Sequence, residues 1–497
     1  MIRRAGDIVL LAVLLGATIA TFGPILGNYF YGDDFVDLQA IVDAPLGYFL
    51  LQPFAGHVLV VRSFVFWLTH AIAGTKATVY FASVLVTHLL NATLLLLALR
   101  RLTSPAIALL ASTLWAVAPV QEGALGWYAA FGHPLATVPI AVILLDLTRR
   151  PTGSKLSEAV IWAYCGLLLA AAGTFGVGIA VALVFPIALR VLLGPDAYSR
   201  RAKAVLATFP AVIVCGYLLL HRLYDALYQQ DAESGLRAIV AGLQFWWVPI
   251  AMFGHLLLVG PVALLGGHLL PFGEYPSGRT LAFGAGFWAF VAGALFIADR
   301  RRRRWVCFAL LLSGACYAMI AVGRAVLYAI LTRRPAYGAM EARYHYAPTL
   351  CLAVAFAIAA ETYLRQSGRH ADRLAWTLAA AWGAVLLAAG VRSGWHIDPH
   401  AEARRATDQA RAELGAAAAT ARPGAPAVLA NRPFPPAQSA SIYFAGLAGV
   451  YMIFFPDDPE RPVLFIEENE ALRGRVLAGT RLARILIPPP VPHSTVP

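Results

Sequence analysis

Apolar runs of membrane-spanning length recur through the first 390 residues, each closed by a short polar or arginine-bearing break. A helix needs about 20 mostly apolar residues to cross the hydrocarbon core. Runs at 8–26, 77–99, 105–119, 134–147, 204–220, 281–298, 305–322, 347–363 and 374–391 approach or meet that length. Residues 156–193, broken at Gly173–Gly178, read as a hairpin of two more. The pattern predicts a polytopic α-helical membrane protein with about eleven spanning helices. The stretch 236–270 is apolar too, but in this scheme both of its ends fall on one side. It is either an interfacial or re-entrant segment or a hairpin that raises the count to thirteen. The interfacial reading is preferred, because Phe245, Trp246 and Trp247 form the kind of aromatic anchor found at membrane surfaces.

Arginine placement gives the sidedness. Arg3 and Arg4, Arg100 and Arg101, Arg149 and Arg150, Arg200 and Arg201, the run Arg300–Arg304, and Arg365, Arg369 and Arg373 all fall at helix ends that alternate consistently. Under the positive-inside rule these ends are cytoplasmic. The N-terminus is then cytoplasmic and residues 27–76 form a first outer loop. Residues 1–394 make the membrane domain, and 395–497 lie outside. In that tail, 396–422 read as a polar then Ala-rich helix. Short apolar runs at 427–429, 451–455, 463–466 and 485–487 alternate with Pro-rich turns, which predicts a small extracytoplasmic α/β domain with a disordered end. This geometry is that of a multi-pass membrane protein, and a bacterial cytoplasmic (inner) membrane is its expected location.

Composition agrees. Of 497 residues, 59% are hydrophobic and only 13% charged, against roughly 25% charged in soluble domains. Mean hydropathy is +0.67. The formal charge of +12 would suggest nucleic acid in a soluble chain, but here the arginines sit in loops as topology signals, and no nucleic-acid partner is expected. The five cysteines all lie in apolar runs without CxxC spacing, which indicates neither a zinc site nor a disulfide framework. No cytoplasmic loop has room for a nucleotide-binding domain, and no GxxxxGK[ST] motif is present. Any chemistry therefore belongs at the outer face.

The densest polar cluster is there. Tyr31-Gly-Asp33-Asp34-Phe35 is followed by Asp37, His57 and Arg62. A carboxylate in this place can act as general base toward a hydroxyl. The Asp33–Asp34 pair can instead hold a divalent cation, or cap a helix as a solvated turn. No other cofactor is indicated. His88 and Asn91, one turn apart, have the spacing of residues that hydrogen-bond neighbouring helices. Glu122 and His133 flank the outer ends of a helix pair, where they line a site or face interfacial water. Arg343, with Tyr344, sits at the outer end of a late helix, where its planar fork suits phosphate or snorkels to headgroups. Arg324 lies deeper in its run and is a candidate phosphate or carboxylate partner.

These motifs resemble the C-type glycosyltransferases. Tyr31-Gly-Asp-Asp-Phe with His57, Arg62 and His88-Leu-Leu-Asn91 is similar to the N-terminal half of that superfamily. Its bacterial relatives of the mannosyltransferases with TPR tails are the nearest likeness. Trp115-Ala-Val-Ala-Pro119 followed by Gly126-Trp127-Tyr128-Ala129, and Ala342-Arg343-Tyr344-His345-Tyr346-Ala347-Pro348, look like later motifs in the same order. The resemblance implies an inverting hexosyltransferase. Such an enzyme moves a sugar from a polyprenyl-phosphate donor to a glycan or protein acceptor outside the membrane. An acidic residue of the first outer loop, here Asp34 or Asp33, is then the base. His57, Arg62, Trp127, His133, Arg324, Arg343 and Tyr344 become substrate-binding candidates. The chain departs from the family where an Arg and an acid are usual and Phe131 and His133 stand. It departs again where a Lys-Glu pair is common and Thr174-Phe175 stands, and the tail carries no 34-residue TPR period.

Two other classes fit a polytopic chain: a transporter or flippase of lipid-linked intermediates, and a non-catalytic membrane assembly protein. A coupled carrier usually places ionisable residues near the midplane and shows internal repeats. Here Asp146 and Glu361 lie near cytoplasmic ends, and no repeat is evident.

Overall fold

The computed structural model of the chain describes residues 4–393, apart from 29, 31–33, 35–36, 39, 42–43, 55–56, 75, 151–154, 229–244, 268–269, 271–275, 332–334, 367 and 369–370. It also describes three strands in the tail. In chain order the first elements are α1 (Arg4–Phe22), α2 (Leu46–Leu51), the two-residue strands β1 (Pro53–Phe54) and β2 (His57–Val58), and α3 (Val60–Ala73). Then come α4 (Ala77–Leu102), α5 (Pro105–Ala116), α6 (Glu122–Leu125), α7 (Gly132–Arg149), α8 (Glu158–Ala172), α9 (Gly176–Leu193) and α10 (Arg200–Tyr228). The membrane domain closes with α11 (Trp247–Pro261), α12 (Gly278–Ile297), α13 (Arg300–Leu331), α14 (Pro335–Gly338), α15 (Tyr346–Gln366) and α16 (Ala371–Ser393).

Among the described residues, nine helices are long and apolar enough to cross a membrane. A tenth arises if Pro105–Ala116 and Pro119–Leu125, bent by 45° at Pro119, form one broken span. The chain is thus a polytopic α-helical membrane protein, as the apolar runs predict. α8, half of the expected hairpin, is apolar but only 15 residues long.

Local sequence explains the element boundaries. Pro105 opens α5, where its missing N–H costs nothing. Ser157 and Ser277 cap α8 and α12, accepting from Val160 N at 3.4 Å and Thr280 N at 3.2 Å. The α8–α9 hairpin closes tightly because position 178 is glycine: a Cβ there would stand 2.0 Å from the Ala171 carbonyl oxygen.

Burial orders the bundle. The span containing α15 has 83% of its apolar window buried and that containing α7 has 78%, whereas α10 has 22%. Buried Ala347, Ala353, Ala355, Ala357 and Ala359 let neighbouring helices approach α15 closely, as small residues do in membranes. At one end of the bundle, acids pair with arginines: Asp7 with Arg100 at 2.7 Å, Asp146 with Arg150 at 2.6 Å, and Glu361 with Arg365 at 2.9 Å. Arg302 lies within electrostatic reach of Arg365 and Glu361, so the Arg300–Arg304 run shares this face. The opposite face carries Asp34.

The segment 236–270 corrects the sequence reading. Its described part is a continuous helix of span length, Trp247–Gly266, with a π-helical last turn. Val248, Met252, Leu256, Val259 and Ala263 form its buried stripe. Trp288 Nε1 donates to the Leu257 carbonyl at 2.8 Å, while a Cβ on Gly266 would lie 3.6 Å from Phe283. As α11 advances α12 recedes, so the two are antiparallel. Because α12 ends beside Arg300, α11 starts at the arginine face and finishes at the Asp34 face, where Ala263 packs with Ala118 and Val120. Phe245, Trp246 and Trp247 are an anchor at the arginine face, not a cover on the other. Helix α10 ends at the Asp34 face, with Tyr228 packed edge-to-face on Tyr48 at 4.9 Å; residues 229–244 lie outside the described residues. An interfacial segment does not fit a helix of span length that runs antiparallel to α12 from one face of the bundle to the other.

In the tail, Ala427–Ala430 pairs in parallel with 463–466, and Val450–Phe455 pairs antiparallel with Asp458–Ile466. Three of the four apolar runs expected as strands fall in this sheet. The run 485–487 and the helix expected over 396–422 lie outside the described residues.

Candidate functional site

The site is built around the turn that opens α7. Residues Trp127–Phe131 enter it through a 3₁₀ turn, whose first N–H groups have no intrahelical partner. Asp34 supplies one: its Oδ1 accepts from Ala129 N at 2.6 Å. Arg62, in the first turn of α3, donates from Nη2 to the Ala129 carbonyl at 3.3 Å and to Asp37 Oδ2 at 2.5 Å. Asn28 adds a bond to the Gly126 carbonyl at 3.2 Å. Asp34 is fully enclosed, and Arg62 and Asp37 are buried. The carboxylate expected to cap its own helix therefore caps another one, 95 residues on. Phe66, Tyr80 and Tyr128 pack edge-to-face beneath, with centroids 4.7–5.5 Å apart.

Burial pushes the Asp37 carboxyl above its ordinary value, against the pull of the Arg62 charge and hydrogen bond. Burial pulls the Arg62 guanidinium down, but Asp37, with Asp34 behind it, raises it on balance. The short contact holds the two as an ion pair, since an unpaired charge buried here would cost several kcal/mol (about 3–5).

A second group of side chains converges beside this turn. His57, on the small β1–β2 hairpin, is partly buried; burial, then the charges of Arg324 and His221, push its imidazole down to about 3. It is neutral at physiological pH. Arg324 and Arg343 both act electrostatically on His133, as does His57. His133 is fully buried, and neither ring nitrogen has a hydrogen-bond partner among the described residues. The Phe175 ring lies on it at 4.0 Å and on His57 at 6.3 Å. The tip of the α8–α9 hairpin is thus part of the site, tied in by Val61 N donating to the Gly173 carbonyl at 2.8 Å. Glycine at 132 makes room for Phe175, since a Cβ would stand 2.6 Å from its ring.

Arg343 closes the other side. Its guanidinium lies over the Trp127 ring at 5.0 Å and the Tyr344 ring at 5.4 Å, and pairs with Glu341 at 3.4 Å. The turn Ala342–His345 presses on α6 so closely that a Cβ on Gly123 would stand 2.6 Å from Arg343 N. Arg62, Trp127, His57, His133, Arg324, Arg343 and Tyr344, named from the sequence, therefore meet Asp34 at one end of the bundle. Asp33 lies outside the described residues.

Other residues named from the sequence have structural work. His88 bridges the Tyr346 hydroxyl at 2.7 Å and the Ala116 carbonyl at 2.8 Å. Asn91 donates to the Pro134 carbonyl at 2.8 Å. These bonds tie α4, α5, α7 and α15 together, as the one-turn spacing suggested. Glu122 is buried under the Ala342–His345 turn rather than open to interfacial water. The sequence does not mark His221, and it shows Phe175 only as a departure from the family pattern. The available signals were an imidazole late in α10, far from its arginine end, and an aromatic at the hairpin tip. Among the described residues, no group of three or more His, Cys, Asp or Glu is arranged to hold a metal ion.

No protein-family model and no curated protein sequence matches the chain. Among solved structures, the crystal structure of ArnT from Cupriavidus metallidurans bound to undecaprenyl phosphate is similar, with a TM-score of 0.47 and 12% identity over 95% of this chain and 88% of that one. A likeness of that size says nothing of what this chain binds or transfers.

Proposed function

We propose that the chain is a C-type membrane glycosyltransferase that moves a hexose from a polyprenyl-phosphate donor to a glycan or protein hydroxyl at the outer face of a bacterial inner membrane. The observation that carries this reading is convergence. The carboxylate-bearing first loop and Arg343 meet at the Trp127–Ala129 turn, at the face opposite the arginine-rich helix ends, and Arg324 lies within electrostatic reach of His57 and His133 beside it. Arginine forks suit a phosphate, and a buried, low-dielectric surround strengthens their hold on it. In the reaction, a carboxylate of the Asp33–Asp34 pair takes the proton of the acceptor hydroxyl. The hydroxyl oxygen bonds to the anomeric carbon from the side opposite the phosphate. The anomeric C–O bond to phosphate breaks, its electron pair staying on the phosphate oxygen beside the arginines. The configuration at that carbon inverts. His57, His133, Trp127 and Tyr344 line or back the donor, and Arg62 holds the loop.

The carrier reading is weaker because Asp7, Asp146 and Glu361 all sit at the arginine face, each paired with an arginine. The test is transfer by membranes containing the full chain, supplied with a panel of radiolabelled polyprenyl-phosphate hexoses and an envelope extract. Chain-dependent labelling of polymer that falls about 100-fold or more in Arg324→Ala supports the proposal. Uptake of the lipid-linked sugar across vesicles without transfer would replace it with a carrier.

A further inference from the structure

Asp34 and its surroundings carry an inference that rests on the transferase reading and refines it. Three observations bear on it. The side chain has no exposed surface, so no acceptor hydroxyl reaches it. Its Oδ1 is 2.6 Å from Ala129 N, a bond at the short end for a charge-assisted contact with an N–H. The other polar group of the same residue, the Ala129 carbonyl, is held by Arg62, which itself is anchored on Asp37 at 2.5 Å. The N–H and the C=O of one residue, Ala129, are therefore clamped by a single buried cluster reaching from the first loop.

The consequence runs along the turn. Ala130 N donates to the Trp127 carbonyl at 3.0 Å, so fixing Ala129 fixes the backbone that orients Trp127. The Trp127 ring lies under the Arg343 guanidinium at 5.0 Å. The Arg343 backbone is held close to α6, its N packed so tightly on Gly123 that a Cβ there would stand 2.6 Å away. We propose that Asp34 is a positioning residue: it sets the Trp127–Ala129 turn and, through Trp127, the Arg343 guanidinium, and it is not the proton acceptor of the transfer reaction. The short carboxylate-to-amide bond explains why an acid stands at a place an acceptor cannot enter. It supplies an anionic cap to the unpaired N–H groups at the start of α7.

The two roles separate experimentally. Asparagine keeps an oxygen at Oδ1 and so keeps the bond to Ala129 N, but it cannot take a proton; alanine loses both. Three readouts are compared in the full chain in detergent, for wild type, Asp34→Asn and Asp34→Ala. They are amide exchange of the peptide covering 127–131, the Kd for farnesyl phosphate, and the transfer rate. A positioning role predicts exchange faster by about tenfold or more in Asp34→Ala. It also predicts a Kd weakened by roughly tenfold there, as expected when a phosphate ligand is displaced by a fraction of an ångström. Asp34→Asn then restores both readouts to within about threefold and lowers transfer by less than tenfold, short of the 10²- to 10⁴-fold loss of a missing general base. A transfer loss of 10²-fold or more in Asp34→Asn, with farnesyl phosphate binding intact, overturns the proposal and makes Asp34 the base. Unchanged exchange and Kd in Asp34→Ala overturn it as well. If wild type neither binds farnesyl phosphate nor transfers sugar, the transferase reading falls with the part of the proposal that rests on it. The exchange comparison still judges the clamp by itself.

Discussion

Breaking the Arg62–Asp37 pair one partner at a time gives an asymmetric result that the geometry fixes in advance. The guanidinium and carboxylate touch at 2.5 Å, with 2% and 8% of their side chains exposed. At a charge separation of about 4 Å and an effective dielectric of 20, their attraction is roughly 4 kcal/mol. Arg62→Met removes the cation paired with Asp37, leaves Asp34 without that neighbour, and frees the Ala129 carbonyl. It is expected to cost about 3–5 kcal/mol, the usual penalty for orphaning a buried charge. Asp37→Leu costs less, about 2–3 kcal/mol, because Asp34 still acts on Arg62 and the bond to Ala129 survives. The double variant is expected to be more stable than Arg62→Met alone, with a coupling of about 2 kcal/mol or more. Membrane proteins rarely unfold reversibly, so the assay is the rank order of thermal inactivation rates in one detergent, measured at several temperatures. Additive effects, each under about 1 kcal/mol, would show that the pair behaves like an exposed surface contact and would refute the buried clamp.

Three further outcomes follow from the same geometry. Gly123→Ala places a methyl 2.6 Å from Arg343 N and from the Ala342 Cβ; it should cost about 1–3 kcal/mol of stability and weaken farnesyl phosphate binding, measured together by thermal shift and titration. His57 has a folded value depressed from 6.5 to about 3, so the unfolded chain binds its proton first as pH falls; stability is full above pH 6.5 and drops by about 2 kcal/mol at pH 5. That drop should be smaller in His57→Gln when inactivation is compared at pH 5 and pH 8. His88→Leu leaves the Tyr346 hydroxyl and Ala116 carbonyl with one bond fewer each; about 2–4 kcal/mol of stability should be lost with the Kd of the folded fraction unchanged.

Much of the fold is legible in apolar run length and arginine placement, because lipid leaves a chain few options besides helices. The exceptions have physical causes. Helix α11 carries Pro249, Gly254, Gly260 and Pro261, which blur its period, and its direction is set by antiparallel packing on α12 that no local pattern encodes. Helix α3, 14 residues long, is too short to read as a span, and in the sequence pattern it falls within the first outer loop. It presents Phe64, Leu68 and Ile72 away from the bundle and Arg62 toward it. At the site, residue types and order announce a polar outer face, but partnerships do not follow from order. Asp34 reaches a backbone amide 95 residues away, and His57 feels Arg324 from 267 positions off. The substitution of Thr174-Phe175 for a charged pair reads as a loss in sequence. In space it puts an aromatic ring on His133.

The central claim is that this cluster holds a polyprenyl phosphate, and native mass spectrometry of the full chain released from bacterial membranes tests it without knowledge of the sugar or acceptor. A wild-type adduct with the mass of undecaprenyl phosphate, bare or carrying a hexose, is expected. That adduct should be depleted at least tenfold in Arg324→Ala and Arg343→Ala, and retained in Arg101→Ala at the opposite face. Phospholipid adducts alone, or a polyprenyl-phosphate adduct untouched by both arginine substitutions, would contradict it.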